Sequence, residues 1–366
     1  LTYPSRIAAV SMTVPKFDLS FLNDPDTTNN YNAGKPGRLR VDTLIGTVAT
    51  NLMTNLGVKT YDLVNGGWLA NQHADDNIPL LFAVNGKRDT MVGWAEKIAY
   101  YDSVNANRLG GYYFWDNRKH NGEGQQWNFT PDLMRYHRNL SYPAFSNCSF
   151  NNDPGDGHAG SGDSLGTING FLDWKDDIED DSLLYKISIF MRDLSTVSAA
   201  VSAPDSCFTD ITLRRLQQFS VPAGAVVLWK TEHLGQVVEE DSFFYTGGLI
   251  TLNHVKIFKD TITLKVSYTI PTQSSYEPGI AGLTVSAFPN PSKGNFTVRV
   301  LRANPSPFRM RLTDLSGRIM EEHFFNSSER EVEFYPETKF EDGIYFIQVF
   351  SGSDHATIKL IVGGHY

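Results

Sequence analysis

Two residues in the first third of the chain stand where a proton-transfer pair is assembled. Asp89 follows Leu80–Val84, a short apolar run that opens after Pro79, and His120 lies just past a second run, Tyr112–Trp115. Both runs read as strands covered on both faces. Between them, Val92–Val104 places Val92, Ala95, Ile98 and Ala99 at helical spacing. One helix separates the two strands, so the loops carrying Asp89 and His120 open on the same carboxyl edge of a parallel sheet. There a carboxylate accepts a hydrogen bond from an imidazole, fixes its tautomer, and stabilises the imidazolium formed during proton transfer. Each residue alone has a plainer role. An aspartate after an Asn-Gly-Lys-Arg turn is often a loop residue or a helix N-cap, and a histidine beside Arg118 and Lys119 is usually just solvated. Only the joint placement argues for chemistry.

Other groups compete for attention. The acidic, Gly-rich segment NNDPGDGHAGSGDS (151–164) offers Asp153, Asp156 and Asp163 as calcium ligands. It lacks the fixed spacing of a calcium loop, and ordinary turn chemistry explains it more simply. His73, His137, His158 and His233 show no ligand spacing and read as surface or locally bonded residues. Trp174 and Trp229 offer a sugar-stacking platform, although sandwich domains commonly bury a tryptophan. Only two cysteines occur, Cys148 and Cys207. A disulfide in an oxidising compartment and a pair of buried free thiols both remain open.

The elements around these residues divide the chain into four regions. A chain of 366 residues with 41% apolar residues buries two or three cores. From Leu1 to about Leu140 strand and helix alternate: Ile7–Val14 is a strand, 17–77 is an Asn/Asp/Gly-rich stretch with a helical section around Val41–Leu56, and Pro131–Leu140 is a further helix. Residues 141–170 read as irregular connection. The stretch 171–270 gives strands at short intervals, among them Leu184–Met191, Ala225–Lys230, Leu249–Phe258 and Thr261–Ile270, the pattern of a sandwich. PTQSSYEPG (271–279) has linker composition, and a second β-module follows. The domains expected are therefore 1–140, 141–270 with an irregular Gly/Asp-rich lead-in, a linker at 271–282, and 283–366.

Charge and hydropathy exclude some partners. A formal charge of -9 and a pI near 5.5 argue against nucleic acid or an anionic membrane as the main partner. No apolar window is long enough to span a bilayer as a helix. Residues 1–20 lack a basic head, an apolar run and a small-residue cleavage site, and the chain is expected to begin inside a domain.

The C-terminal landmarks are FPNPSKGNF (288–296), DLSGR (314–318), DGIYFIQV (342–349) and IKLIVGG (358–364). Singly they are strand entries and turns, with Ser316-Gly317 and Asp342-Gly343 as two-residue hairpin turns. Together and in this order they resemble the type A C-terminal sorting domain of the type IX secretion system of Bacteroidetes. That resemblance implies export across the outer membrane, removal of the module, and secretion or attachment to the cell surface. The partner implied is the secretion machinery, through 283–366.

The first region resembles the last third of an α/β-hydrolase sheet. The resemblance rests on PLLFAVNGKRD (79–89), WDNRKHNG (115–122) and YPSRIAAVSMTVP (3–15). It implies a multidomain fold: part of an α/β-hydrolase, a parallel sheet with helices on its faces, followed by two all-β sandwiches. It also implies that Asp89 is the acid and His120 the base of a Ser-His-Asp triad. The activity implied is that of an esterase or a prolyl-oligopeptidase-like peptidase, acting on an ester or peptide through an acyl-enzyme and needing no cofactor. The family carries its nucleophile in G-x-S-x-G on a strand-to-helix turn upstream of the strand that here begins near Ile7; no such motif precedes that strand, and Ser5 and Ser11 fall where a helix end and a strand belong. The serine is therefore expected upstream of Leu1, and the fragment alone is expected to be inactive. The competing expectation is a non-catalytic cell-surface adhesion or carbohydrate-binding protein built on the same scaffold.

Overall fold

The computed structural model describes residues 6–128, 135–270, 283–292, 294–302, 306–315, 317–326, 331–336, 339–352 and 354–363. The chain is mostly β with few helices, and it divides into two compact units, Leu1–Thr269 and Ile270–Tyr366. The first unit opens with β1 (Ala9–Thr13), α1 (Pro36–Ile45), α2 (Gly66–Gln72), β2 (Leu80–Gly86), α3 (Ala95–Ala106) and β3 (Tyr112–Asp116). Next come β4 (Tyr142–Ser146), β5 (Gly166–Ile168), β6 (Leu172–Trp174), β7 (Glu179–Asp180) and β8 (Leu184–Met191). β9 (Ser206–Arg214), β10 (Val226–His233), β11 (Gln236–Phe244), β12 (Ile250–Phe258) and β13 (Ile262–Thr269) complete it.

β1, β2 and β3 lie side by side in parallel, and β5 joins the β3 edge antiparallel. The pleat sends alternate residues to opposite faces. Leu81, Ala83, Tyr113 and Trp115 meet α2 and α3 through Ala70, Trp94, Tyr100, Tyr101 and Val104. Burying each large side chain there stabilises the unit by roughly 1.5–3 kcal/mol. The opposite face, Leu80, Phe82, Val84, Tyr112 and Phe114, enters a different core. That core belongs to the β-sandwich. One of its sheets has the order β11-β10-β13-β8-β6, with β7 also on β8, and the other has the order β12-β9-β4. Tyr185, Ile187, Ile189 and Met191 of β8 point inward at every second position, and Ile211 and Leu213 of β9 share the same cluster.

Helices were expected on both faces of the parallel sheet, but the described helices cover one and the sandwich covers the other. The expected border at residue 140 consequently runs through one continuous core, and 1–140 and 141–270 fold as a single unit. The stretch 141–170, expected to be irregular, holds β4 and β5. Pro143 disguised β4. It is tolerated because β4 is the edge of its sheet, where a missing N–H breaks no ladder. The helix expected around Val41–Leu56 starts earlier, with Pro36 in its first turn, and ends at Gly46, whose φ of 82° no side chain favours. α2 is an addition, capped by the Asn65 side chain accepting from Trp68 N at 2.8 Å. Of the helix expected at Pro131–Leu140, residues 131–134 lie outside the described residues, and 136–140 hold no helix.

The second unit contains β14 (Leu283–Phe288), β15 (Thr297–Arg302), β16 (Phe308–Asp314), β17 (Ile319–Phe325), β18 (Glu331–Phe334), β19 (Gly343–Ser351) and β20 (Asp354–Val362). Two antiparallel sheets, β14-β15-β18 and β17-β16-β19-β20, share a core that includes Val298, Val300, Met310, Leu312, Ile347 and Leu360. Asp342-Gly343 is not a hairpin turn: Gly343 already begins β19, whereas β18 belongs to the other sheet. The 271–279 linker and Ser316 lie outside the described residues. Among the described residues no helix is long and apolar enough to cross a membrane.

Two compact units predict two thermal transitions in calorimetry of the whole chain. Deleting 271–366 should remove one and leave the other at its original temperature. A remainder that is unfolded at room temperature would show that the first unit depends on the second.

Candidate active site

β2 delivers Asp89 to the carboxyl edge of the sheet, and β3 delivers His120 to the same edge one strand away. His120 Nδ1 lies 2.9 Å from Asp89 Oδ2. The carboxylate is held before it meets the ring, because Asp89 Oδ1 accepts from the backbone N–H of Met91 at 2.8 Å and of Val92 at 3.3 Å. Asp89 thus caps its own turn with one oxygen and receives the imidazole with the other. Its side chain is 0% exposed, while that of His120 is 48% exposed. An ionised carboxylate accepts and does not donate, and opposite an ionised Asp89 it is Nδ1 that carries the ring proton. Nε2 then holds the lone pair, and among the described residues it has no hydrogen-bond partner.

The loop that carries His120 is built around Asp116, the last residue of β3 and fully buried. Its Oδ1 accepts from Arg118 N at 3.0 Å and Arg118 Nε at 2.7 Å. Its Oδ2 accepts from Arg118 Nη2 at 2.8 Å, Gln126 N at 2.8 Å and Trp127 N at 2.9 Å. Arg118 Nη2 also donates to Trp127 O at 2.8 Å, and Trp127 Nε1 donates to Trp115 O at 2.7 Å. These bonds fold 116–127 into a closed loop with His120 at its outer side. Gly86 lets the loop come close: a Cβ there would lie 2.2 Å from the Arg118 carbonyl oxygen. Sequence reading passed over Asp116, Arg118 and Gly86. The signal was an acid and an arginine two positions apart at a strand end, immediately before the histidine.

The calcium candidates arrange differently. Asp163 Oδ2 accepts from Asp153 N at 2.8 Å, Asp153 Oδ1 from Gly155 N at 2.8 Å, and Asp156 Oδ1 from His158 N at 3.0 Å and the Ser161 hydroxyl. The Ser161 hydroxyl, and after it the His158 backbone N–H, hold the Asp156 carboxyl below its usual range. Among the described residues no group of three acidic, His or Cys side chains is gathered for a metal. The loop's carbonyls face the Lys87 ammonium instead. It donates to Pro154 O at 3.3 Å, Asp163 O at 3.0 Å and Ser161 O, and lies 5.4 Å from the Trp94 ring centroid. Burial pushes the Lys87 ammonium below its ordinary pKa, and Asp153, Asp163 and Asp156 oppose that shift. An internal lysine thus does the cross-linking that a bound cation would do.

Trp174 and Trp229 are buried, with Trp174 stacked between Tyr112 and Tyr142 at 6.3 and 6.4 Å, so neither forms a surface platform for sugar. His73 pairs with Asp76 at 2.6 Å, and His233 lies 3.7 Å from Asp260. The first is local and the second joins residues far apart in sequence, and among the described residues neither belongs to a metal-ligating group.

Comparison with known proteins adds one assignment. Residues 286–363 match the family described as secretion system C-terminal sorting domain. The protein is therefore exported through the type IX system, to be secreted or attached to the cell surface. No curated protein sequence matches the chain. Among solved structures, a β-glucuronidase from Ruminococcus gnavus aligns at 9% identity and a TM-score of 0.16, over 43% of this chain and 35% of its own. A β-glucuronidase from Faecalibacterium prausnitzii aligns at 12% identity and a TM-score of 0.19, over 47% of this chain and 40% of its own. The chain thus spans well under half of either enzyme, and likeness at this level carries no argument about fold or activity.

Two outcomes test the site's construction. Asp116→Ala leaves the Arg118 guanidinium buried without its main partner, which should cost about 3–5 kcal/mol in denaturant unfolding. A loss under about 1 kcal/mol would contradict the role given to that carboxylate. Calcium and a chelator should each leave the melting temperature unchanged, whereas Lys87→Met should lower it. A rise with calcium would restore the metal reading.

Proposed function

We propose that the first unit supplies the acid–base pair of a secreted α/β-hydrolase-type serine hydrolase, an esterase or a prolyl-oligopeptidase-like peptidase. The observation that carries this reading is the Asp89–His120 hydrogen bond, 2.9 Å long, formed at the carboxyl ends of adjacent parallel strands. In this reading His120 Nε2 takes the proton of a nucleophilic serine as it attacks an acyl carbon. The imidazolium that results keeps its Nδ1–H on Asp89, whose buried carboxylate offsets the new charge. His120 then gives the proton to the leaving group, and in the second half-reaction it takes a proton from the water that attacks the acyl carbon and gives it to the serine oxygen as the acid departs. The half-exposed ring suits this role, because Nε2 must reach a substrate while Nδ1 stays protected.

The reading requires a serine opposite Nε2, and the one G-x-S-x-G match in the 366 residues, GDSLG (162–166), leads into β5 and not from a strand into a helix. It therefore assigns the nucleophile to sequence upstream of Leu1, so that Asp89 and His120 work only in a longer polypeptide. The sorting module at the other end would carry that enzyme out of the cell.

The full-length protein should hydrolyse activated esters, and residues 1–366 alone should not exceed background. In the full-length protein, His120→Ala should abolish nearly all turnover without lowering the melting temperature, since the ring is half-exposed. Asp89→Asn should cost about 10⁴-fold in kcat, because the ring then favours the wrong tautomer. Near-wild-type turnover in either variant would remove these residues from the chemistry.

A further inference from the structure

Cys148 and Cys207 are the only cysteines in 366 residues. They are 59 positions apart, yet their Sγ atoms lie 3.8 Å from each other in the core of the first unit. Their meeting is arranged by the backbone. β4 pairs with β9 up to Ser146↔Asp210. Asn147 then adopts a left-handed φ of 52°, and pairing resumes as Ser149 N donates to Phe208 O at 2.8 Å and Phe208 N to Ser149 Oγ at 2.9 Å. This irregularity turns the Cys148 side chain inward beside Cys207, which the alternation of β9 also points to the core. Both side chains are buried.

The geometry points to a disulfide between Cys148 and Cys207 in the exported protein, made by oxidation during or after its passage out of the reducing cytoplasm. The bond requires the sulfurs to close from 3.8 Å to roughly 2.05 Å, a movement within reach of rotation about the two Cα–Cβ bonds. Export supplies the setting, since exported proteins fold where thiols are oxidised and not kept reduced. The inference rests on export and on the sulfur contact, and stands whether or not the first unit is a hydrolase.

The chemistry is thiol–disulfide exchange. One cysteine, as its thiolate, attacks a disulfide of a dithiol oxidoreductase and releases one of its sulfurs as a thiol. The other cysteine, once deprotonated, attacks the first one's Sγ in the mixed disulfide and releases the second. Two protein thiols lose two electrons and two protons, and the donor's disulfide becomes two thiols. The Cys207 thiol beside it, and to a lesser degree the Phe150 backbone N–H, draw Cys148 below its usual pKa against the effect of burial, while Cys207 is pushed up. The product ties the segment just after β4 to β9 and closes a loop of about 60 residues, which restricts the unfolded chain.

The test uses the protein as its host exports it and the chain in its reduced form. Protein recovered from the surface or medium of its native host is alkylated in denaturant without reductant, and its intact mass is measured. Neither cysteine should be modified, and the mass should be two hydrogens below that of the reduced chain. Alkylation of both cysteines in the exported protein would overturn the inference, and so would a small thiol or a second chain bound to either. In parallel, reduced protein made in a cytoplasm is oxidised with glutathione disulfide. Its melting temperature should rise by about 5–10 °C. Cys148→Ala and Cys207→Ala should each fold and show no such rise, and a rise in either equal to that of the wild type would also overturn it.

Discussion

A parallel sheet that is apolar on both faces must be covered twice, and that requirement organises the whole first unit. Tyr113 and Trp115 face α2 and α3, while Tyr112 and Phe114, alternating with them on the same strand, need a second layer. The β-sandwich provides it. Without the sandwich, Leu80, Phe82, Val84, Tyr112 and Phe114 would form an exposed apolar patch of the kind that drives association. Without the sheet, the sandwich core would lose the same five side chains. The two layers therefore stand or fall together, and the carboxyl edge of the sheet is fixed in place by packing on both sides of it.

At that edge three buried charged groups are each held by several hydrogen bonds. The Asp116 carboxylate meets five N–H groups, the Lys87 ammonium meets three carbonyls, and Asp89 meets two backbone N–H groups before it receives His120. Buried charge is costly unless fully bonded, so each of these groups also fixes the segment that bonds it. Asp116 shapes the His120 loop, and Lys87 with Trp94 and Trp115 pins the 153–163 loop through its carbonyls. The half-exposed imidazole is the one member of the Asp89 cluster turned toward solvent, which leaves a single nitrogen available for proton transfer.

Much of this was legible in the sequence for a simple reason. β2, β3 and α3 announce themselves by apolar runs and helical spacing, and Asp89 and His120 sit at fixed offsets from the strand ends. The alternating strands and turn signals of 283–366 were likewise local. What escaped reading depended on partners far away in sequence. Whether 1–140 stood alone could not be read, because the apolar face of β2 looks the same against a helix or against β8. Pro143 hid β4 because only sheet position makes an edge proline tolerable. Asp153, Asp156 and Asp163 read as turn residues with calcium only as a weaker alternative, and nothing near them in sequence revealed that Lys87 would bond to their loop. Asp116 and Arg118 looked like loop charges until their burial was known.

The account's central claim is that Asp89 holds His120 as the Nδ1–H tautomer with Nε2 free to accept a proton. Long-range proton–nitrogen NMR of the ¹⁵N-labelled chain, at a pH where the ring is neutral, reports this directly. The account predicts a protonated Nδ1 and a bare Nε2 for His120, and a shift toward the Nε2–H form in Asp89→Asn. An Nε2–H tautomer in the unaltered protein, or a tautomer balance that Asp89→Asn leaves unchanged, would contradict it.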